Sequence, residues 1–371
     1  MNVIFTCGGT AGHVNPALAL AGYMKEKNPD TGVLFVGTPR GIERRLVEQA
    51  GYDFRAVEVS GFLRSFKPSA LAHNVKTVGH LVMAAPRANA ILRDFRPDLV
   101  VGTGGYASYP IVKAAAKAGI PTAVHESNMV PGLTTKMLEK YARCIMVGFE
   151  ECRAHYQHPE KIVVTGTPVR GDFFALSRDE ARKKLGITDD RPLLVSFWGS
   201  MGASTMNEKM LDFFACEQKA GQPFRHIHGV GSSGWETMRA ALSGRGLTGQ
   251  PGLDIREYID DMATVMAAAD LVMCRAGAST VSELTALGKP ALIVPSPYVT
   301  NHYQEKNAAI LARRGGACVV AEESCDGTGL YQTALKILQD NKKLSQMGKA
   351  MAELGIRDAT ERLYQAVTGL L

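Results

Sequence analysis

The sequence predicts an α/β protein made of two Rossmann-like domains facing each other across a cleft. Three observations lead there. Short β-rich runs alternate with helical stretches along the whole chain, the pattern of parallel sheets with helices on both faces. The two halves open alike: Phe5-Thr6-Cys7 leads into Gly8-Gly9-Thr10-Ala11-Gly12, and Val195-Ser196-Phe197 leads into Gly199-Ser200-Met201-Gly202. At 371 residues, with about 100–200 residues per domain, two domains fit better than one.

In the first half, strands are expected at Val3–Thr6, Val33–Val36, Leu99–Val101, Thr122–His125 and Ile145–Val147. A second series follows at Leu193–Phe197, Arg225–Ile227, Leu271–Met273 and Ala291–Val294, with Pro192 just before it. The seam is expected near Gly166-Thr167-Pro168-Val169, which gives domains 1–166 and 167–355. Residues 356–371, with a helix from Ala359 to Leu370, would pack back onto the first domain.

Bulk composition narrows the class. A hydrophobic fraction of 46% is enough to bury full cores. Seven cysteines, odd in number and scattered, show neither zinc spacing nor a disulfide framework, and fit a reducing compartment. The chain opens without a basic leader, and no apolar run approaches the ~18 residues that span a bilayer. A cytoplasmic protein is expected. The net charge of +6 and the pI of 8.9 favour anionic partners. Nucleic acid is not expected among them, because no basic run interleaves with aromatics and no zinc-finger or RNP-type signature occurs.

The most informative segment is Cys274 to Glu283. A buried strand, a small-residue turn and a helix start follow one another, and Gly288-Lys289-Pro290 closes the helix. That order aims free backbone N–H groups and the positive end of a helix dipole at one point, where a phosphate is stabilised. Glu283, one turn in, could accept hydrogen bonds from a ribose. A nucleoside diphosphate is the implied ligand.

Gly8 to His13 also follows a strand, and Pro16-Ala17-Leu18-Ala19 looks like the helix start after it. The glycines let the backbone turn sharply and approach a ligand; a tight turn with nothing bound is the plain alternative. His13, at the glycine-rich tip, has the chemistry of a general base, or is a capping residue. Gly102-Thr103-Gly104-Gly105-Tyr106 and His125-Glu126-Ser127-Asn128 end strands of the same half, and such loops converge on one crevice. Glu126 and Asn128 could orient a substrate amide or hydroxyl, or could simply form an Asn-centred turn.

In the second half, Ser200 offers a hydroxyl to a phosphate, and Arg170 could pair with phosphate oxygens. Arg275 could do so too, or be a solvated charge. Glu257 to Met262 could rim a base pocket through the backbone of Ile259, and Gln304 and Asn307 could read sugar hydroxyls from a helix start. Gly229-Val230-Gly231-Ser232-Ser233-Gly234 matches the dinucleotide fingerprint, with Asp254 downstream, but falls on the second strand turn rather than the first. No cluster has metal-ligand spacing, so no metal or other cofactor is expected to be obligatory. The stretch from Gly61 through Phe62, Arg64, Phe66 and Lys67 to Met83 and Arg87 mixes cations with apolar residues. It suits either an anionic membrane surface or an ordinary half-buried helix.

These motifs in order, with Asn15-Pro16, Pro168-Val169-Arg170 and Asp358-Ala359-Thr360-Glu361-Arg362, resemble the MurG family of glycosyltransferases over nearly the whole chain. The resemblance implies the GT-B architecture. It also implies inverting transfer of N-acetylglucosamine from UDP-GlcNAc to lipid I, an undecaprenyl-diphospho-muramoyl-pentapeptide. The place of work would be the cytoplasmic face of the cell membrane, as a peripheral enzyme. Carried over, Thr10, Ala11 and Gly12 border the donor, and Asn128, Arg170 and Ser200 contact it. Ile259 reads uracil with Met262 close by. Ala278, Ser279, Thr280, Val281, Ser282 and Glu283 hold the phosphates and ribose, and Gln304 holds the glucosamine. His13 is the implied base and Glu126 a weaker candidate, while Gly104, Gly105 and Tyr106 lie on the acceptor side. Ala11, Ser127, Thr167 and Met201 depart from the family pattern, which puts a side-chain donor contact at position 201 in doubt. Two rival readings stay open: a GT-B enzyme with another lipid or small-molecule acceptor, and a UDP-sugar-binding module without catalysis.

Overall fold

A computed structural model of the chain describes residues 1–59, 83–299 and 302–371. The chain divides into two units, Met1–Pro168 with Ile356–Leu371, and Val169–Gly355.

The first unit holds a parallel sheet of β1 (Asn2–Thr6), β2 (Gly32–Gly37), β3 (Asp53–Ala56), β4 (Leu99–Gly102), β5 (Thr122–Glu126), β6 (Cys144–Val147) and β7 (Ile162–Val164), in the order β3-β2-β1-β4-β5-β6-β7. Its helices are α1 (Ala11–Lys27), α2 (Ile42–Gln49), α3 (83–95), α4 (Ser108–Lys117) and α5 (Leu133–Leu138). Central strands such as Leu-Val-Val-Gly of β4 are buried along their whole length, as expected for parallel strands covered on both faces. Phe5 lies opposite Phe35 on one side and Val101 on the other, and its ring stacks on Phe35 at 5.3 Å.

The C-terminal helix, Ala359–Thr368, belongs to this unit. Leu363 and Val367 are buried in one cluster with Val14, Ala17 and Met146, and Tyr364 meets Tyr23 edge to face at 5.4 Å. Burying each aliphatic side chain contributes about 1.5–3 kcal/mol, which holds a helix of under three turns that would not persist alone.

The second unit repeats the plan with β8 (Leu193–Phe197), β9 (Arg225–Gly229), β10 (Leu253–Arg256), β11 (Leu271–Cys274), β12 (Ala291–Ile293) and β13 (Ala317–Val319), in the order β10-β9-β8-β11-β12-β13. Its α-helices among the described residues are α6 (Arg178–Lys184), α7 (Ser204–Lys219), α8 (Trp235–Gly244), α9 (Met262–Ala268), α10 (Ala278–Leu287), α11 (Tyr303–Arg313), α12 (Gly327–Leu338) and α13 (Asn341–Leu354). In both sheets the chain winds outward on one side of the first strand, then crosses to the other. The crevice opens where the order reverses, outside the carboxyl ends of β1 and β4 in one unit and of β8 and β11 in the other.

The sequence reading finds every central strand and misses four: β3, β7, β10 and β13. These are the two edges of each sheet. Edge strands are half exposed here, as in Asp-Phe-Arg-Ala of β3 and Leu-Asp-Ile-Arg of β10, so no continuous apolar run marks them. Among the described residues no helix is long and apolar enough to cross a membrane. The basic and apolar stretch from Gly61 to Val82 lies outside the described residues; Met83 and Arg87, both exposed, sit on α3.

Candidate active site

In the first unit, β1 runs into a turn whose Gly9 takes φ +87°, and α1 starts at Ala11, not at Pro16. His13 is therefore in the first turn of a helix rather than at a loop tip, and Pro16 is carried inside α1. The His13 Nδ1 lies 2.7 Å from the Gly8 carbonyl oxygen. A carbonyl only accepts, so Nδ1 carries the hydrogen and the neutral ring keeps its lone pair on Nε2. Thr103 Oγ1 donates to the His13 carbonyl at 2.6 Å, which ties the start of α1 to the loop after β4. Gly104 and Gly105 both have positive φ. The first lies under the His13 ring and the second against the Gly8 backbone, where any Cβ would collide. Tyr106 is exposed.

Glu126 is buried and fully engaged. Its Oε1 accepts from Asn128 N and Nδ2, both at 3.0 Å, and its Oε2 accepts from Gly132 N and Thr135 Oγ1, both at 2.8 Å. Four donors leave no lone pair aimed at a substrate, so Glu126 is corrected from candidate base to the support of the 127–135 loop. It fixes the amide of Asn128. His125 is buried against the Gly166 carbonyl at 3.0 Å, and burial lowers its pKa. Thr103, quoted in its motif without a role, and Glu43, which no motif flagged, complete this half; Glu43 reaches Gly9 from α2.

In the second unit, α10 begins at Ala278 with Gly277 as N-cap, without a capping side chain and without an acid in its first turn. Val281 N donates to Gly277 O at 2.9 Å, so the N–H groups of Ala278, Ser279 and Thr280 precede the helical ladder. The helix ends as expected, on Gly288 in the left-handed region. Two of the expected contacts turn inward: Val281 is buried, and Ser282 Oγ donates to Ala278 O at 2.9 Å. Helical periodicity sends these two side chains to the core and leaves Ser279, Thr280 and Glu283 half-buried. Burial pushes the Glu283 carboxyl up to about 7, opposed by the charge of Arg170. Arg170 is exposed, pairs with Asp172 at 3.3 Å and lies over the Phe173 ring.

Ser200 is exposed on the turn after β8, between Gly199 at φ +93° and Gly202 at φ +79°. The dinucleotide-like glycines have another purpose. A Cβ at Gly231 would lie 2.2 Å from Gly202 N, and one at Gly202 would lie 2.2 Å from Val230 O. The turn after β9 packs backbone to backbone on the turn that presents Ser200, leaving no room for a pyrophosphate. Arg275 is neither solvated nor free for a phosphate: it is buried, 2.6 Å from Glu322 and 3.0 Å from the Val294 carbonyl, beside the Trp198 ring. Asn307 is buried too and donates to Ala276 O at 3.0 Å, so it braces α10 and does not read a sugar. Gln304 accepts from Ser296 N at 2.9 Å and lines a cleft of about 410 Å³ with Trp198, Ala203 and Tyr298. Ile259 is buried against Gly229, and Met262 opens α9, half-buried. Among the described residues, no group of three or more His, Cys, Asp or Glu could hold a metal ion.

Both units match known domains. The glycosyltransferase family 28 N-terminal domain matches residues 3–147 and the family 28 C-terminal domain matches residues 193–363. A curated protein of Acetivibrio thermocellus, named UDP-N-acetylglucosamine–N-acetylmuramyl-(pentapeptide) pyrophosphoryl-undecaprenol N-acetylglucosamine transferase, is 42% identical over all of this chain and 98% of its own. The chain belongs to the MurG family. A Desulforudis audaxviator protein of the same name is 39% identical over 100% of this chain and 98% of its own. The crystal structure of Acinetobacter baumannii MurG superposes with a TM-score of 0.77 at 26% identity, covering 99% of both chains. Family membership agrees with the two Rossmann-like sheets.

Proposed function

We propose that this chain transfers N-acetylglucosamine from UDP-GlcNAc to the muramoyl hydroxyl of lipid I, with inversion, forming lipid II for peptidoglycan synthesis. The observation that carries the reading is the uncapped start of α10 at the switch point of its sheet, with Glu283 one turn in. This is the activity named for relatives that span the whole chain.

The second unit holds the donor. The N–H groups at Ala278–Thr280, Ser200 Oγ and Arg170 stabilise the charge that builds on the diphosphate as the anomeric C–O bond breaks. Glu283 accepts from the ribose, Ile259 and Met262 border the uracil, and Gln304 faces the glucosamine. Asn128, with its amide fixed by Glu126, contributes a further donor contact. Thr10, Ala11 and Gly12 border the donor from the first unit, which supplies the acceptor side through Gly104, Gly105 and Tyr106. His13 Nε2 takes the proton of the muramoyl hydroxyl as the oxygen attacks from the face opposite UDP, and the electron pair leaves with the diphosphate. The enzyme works peripherally at the cytoplasmic face of the membrane, where the basic and apolar stretch from Gly61 to Arg87 meets anionic lipid.

The test is turnover with a short-chain lipid I analogue against diacylglycerol and small aglycones, across several UDP-sugars. N-acetylglucosamine transfer to the lipid I analogue is expected. Transfer only to another acceptor, or tight UDP binding without transfer, would overturn the reading.

A further inference from the structure

We propose that Glu43 is a positioning residue that sets the imidazole of His13 through a single peptide group. The Gly8 carbonyl and the Gly9 N–H are the two ends of one peptide. Its oxygen accepts from His13 Nδ1 at 2.7 Å, and its N–H donates to Glu43 Oε2 at 3.2 Å. A carboxylate on the N–H end draws the hydrogen and pushes electron density toward the oxygen, which strengthens the bond at the far end. His13 is thereby held in the tautomer that leaves Nε2 basic. A carboxylate bonded directly to a histidine does the same task; here one peptide lies between.

The arrangement is built, not incidental. Glu43 is fully buried, and its Oε1 accepts from Thr38 N at 2.8 Å and from Thr38 Oγ1. Three glycines make its space: a Cβ at Gly41 would lie 2.1 Å from Oε2, one at Gly37 2.6 Å from Cγ, and one at Gly8 3.0 Å from Oε1. An acid in the first turn of a helix usually stays at the surface to meet the dipole. This one turns inward instead, toward Gly9 and Thr38 just past the carboxyl ends of β1 and β2. Burial first, and the charge of Glu43 second, pushes the neighbouring Cys7 thiol up to about 12. Gly104 beneath the ring completes the holder.

The inference rests on His13 acting as the base, and the experiment separates the two claims. Nitrogen-15 NMR of the histidines in the full chain reads the His13 tautomer directly, with His13→Gln to assign the signal. The wild type is expected in the Nδ1–H form that the Gly8 carbonyl selects, and Glu43→Gln is expected to raise the share of the Nε2–H form. The same variant should lower kcat by about 2- to 10-fold, below the 10²–10⁴ that a general base supplies. It should leave the donor KM unchanged. An unchanged tautomer in a folded Glu43→Gln overturns the relay. If that variant does not fold, Glu43→Asp keeps the charge but falls one methylene short of Gly9, and the same tautomer change is expected; its absence overturns the relay equally. A tautomer change combined with full turnover in His13→Gln would uphold the relay and remove the base.

Discussion

The α-carbon of Gly104 is the floor of the His13 imidazole: a Cβ at position 104 would lie 2.6 Å from His13 Cδ2 and 2.9 Å from Nε2. Gly104 also takes φ +112°, a conformation L side chains rarely adopt. Gly104→Ala is therefore expected to displace the ring and to strain the loop by about 1–3 kcal/mol. Turnover should fall by at least about tenfold while UDP-GlcNAc affinity is retained. Equal losses in kcat and affinity would show that the ring is not what Gly104 supports.

His13→Ala is expected to lower turnover by about 10²–10⁴-fold, with donor binding by calorimetry unchanged. Loss of affinity alone would remove His13 from the base role.

Glu283 gives a pH prediction. Its carboxyl titrates near 7 in the folded chain against an ordinary 4.5, so between those values the native state holds a proton that the unfolded state releases. Its contribution to stability is present below the lower value and lost as pH rises through about 7. Glu283→Gln should stabilise the protein by about 1–2 kcal/mol at pH 8, with the gain vanishing in acid, as read by urea denaturation. In the wild type, UDP-GlcNAc affinity should fall as pH drops through the same region, because a protonated carboxyl loses an acceptor; in Glu283→Gln that dependence should be gone.

Arg275 and Glu322 form a buried pair at 2.6 Å. Removing one partner strands the other, so Glu322→Ala should cost about 3–5 kcal/mol. A loss under about 1 kcal/mol, the range of exposed pairs, would mean that water reaches Arg275.

Replacing both Phe62 and Phe66 by serine should reduce co-sedimentation with anionic vesicles. Retained binding would take this segment out of the membrane contact.

Much of the site was legible because it is backbone chemistry written in local sequence. A strand followed by small residues and a helix start is a local pattern that suits an anion cradle, so Gly8–Gly12, Gly199–Gly202 and Cys274–Thr280 could be read one by one as candidates. Side-chain roles were less secure, because partners distant in sequence decide them. Glu126 looked like a base until Gly132 and Thr135 were found on its second oxygen. Arg275 read as either a phosphate ligand or a solvated charge, and the buried Glu322 beside it makes it neither. The fingerprint at Gly229–Gly234 fits its pattern, yet its glycines serve the contact with Gly202.

By itself, the sequence determined the class of fold, the central strands, the helix start at Ala278 and the family. Each depends on periodicity or on contiguous residues. Only the tertiary structure decided which polar side chains are free to act. It placed the four edge strands, whose exposure erases the apolar run. It also buried Glu217, Ser196, His226 and His228 as one hydrogen-bonded chain, and brought Glu43, 34 residues from Gly9, to the far side of the peptide that holds His13. A hydrogen bond depends on distance in space, and a fold of crossing strands sets that distance without regard to distance along the chain.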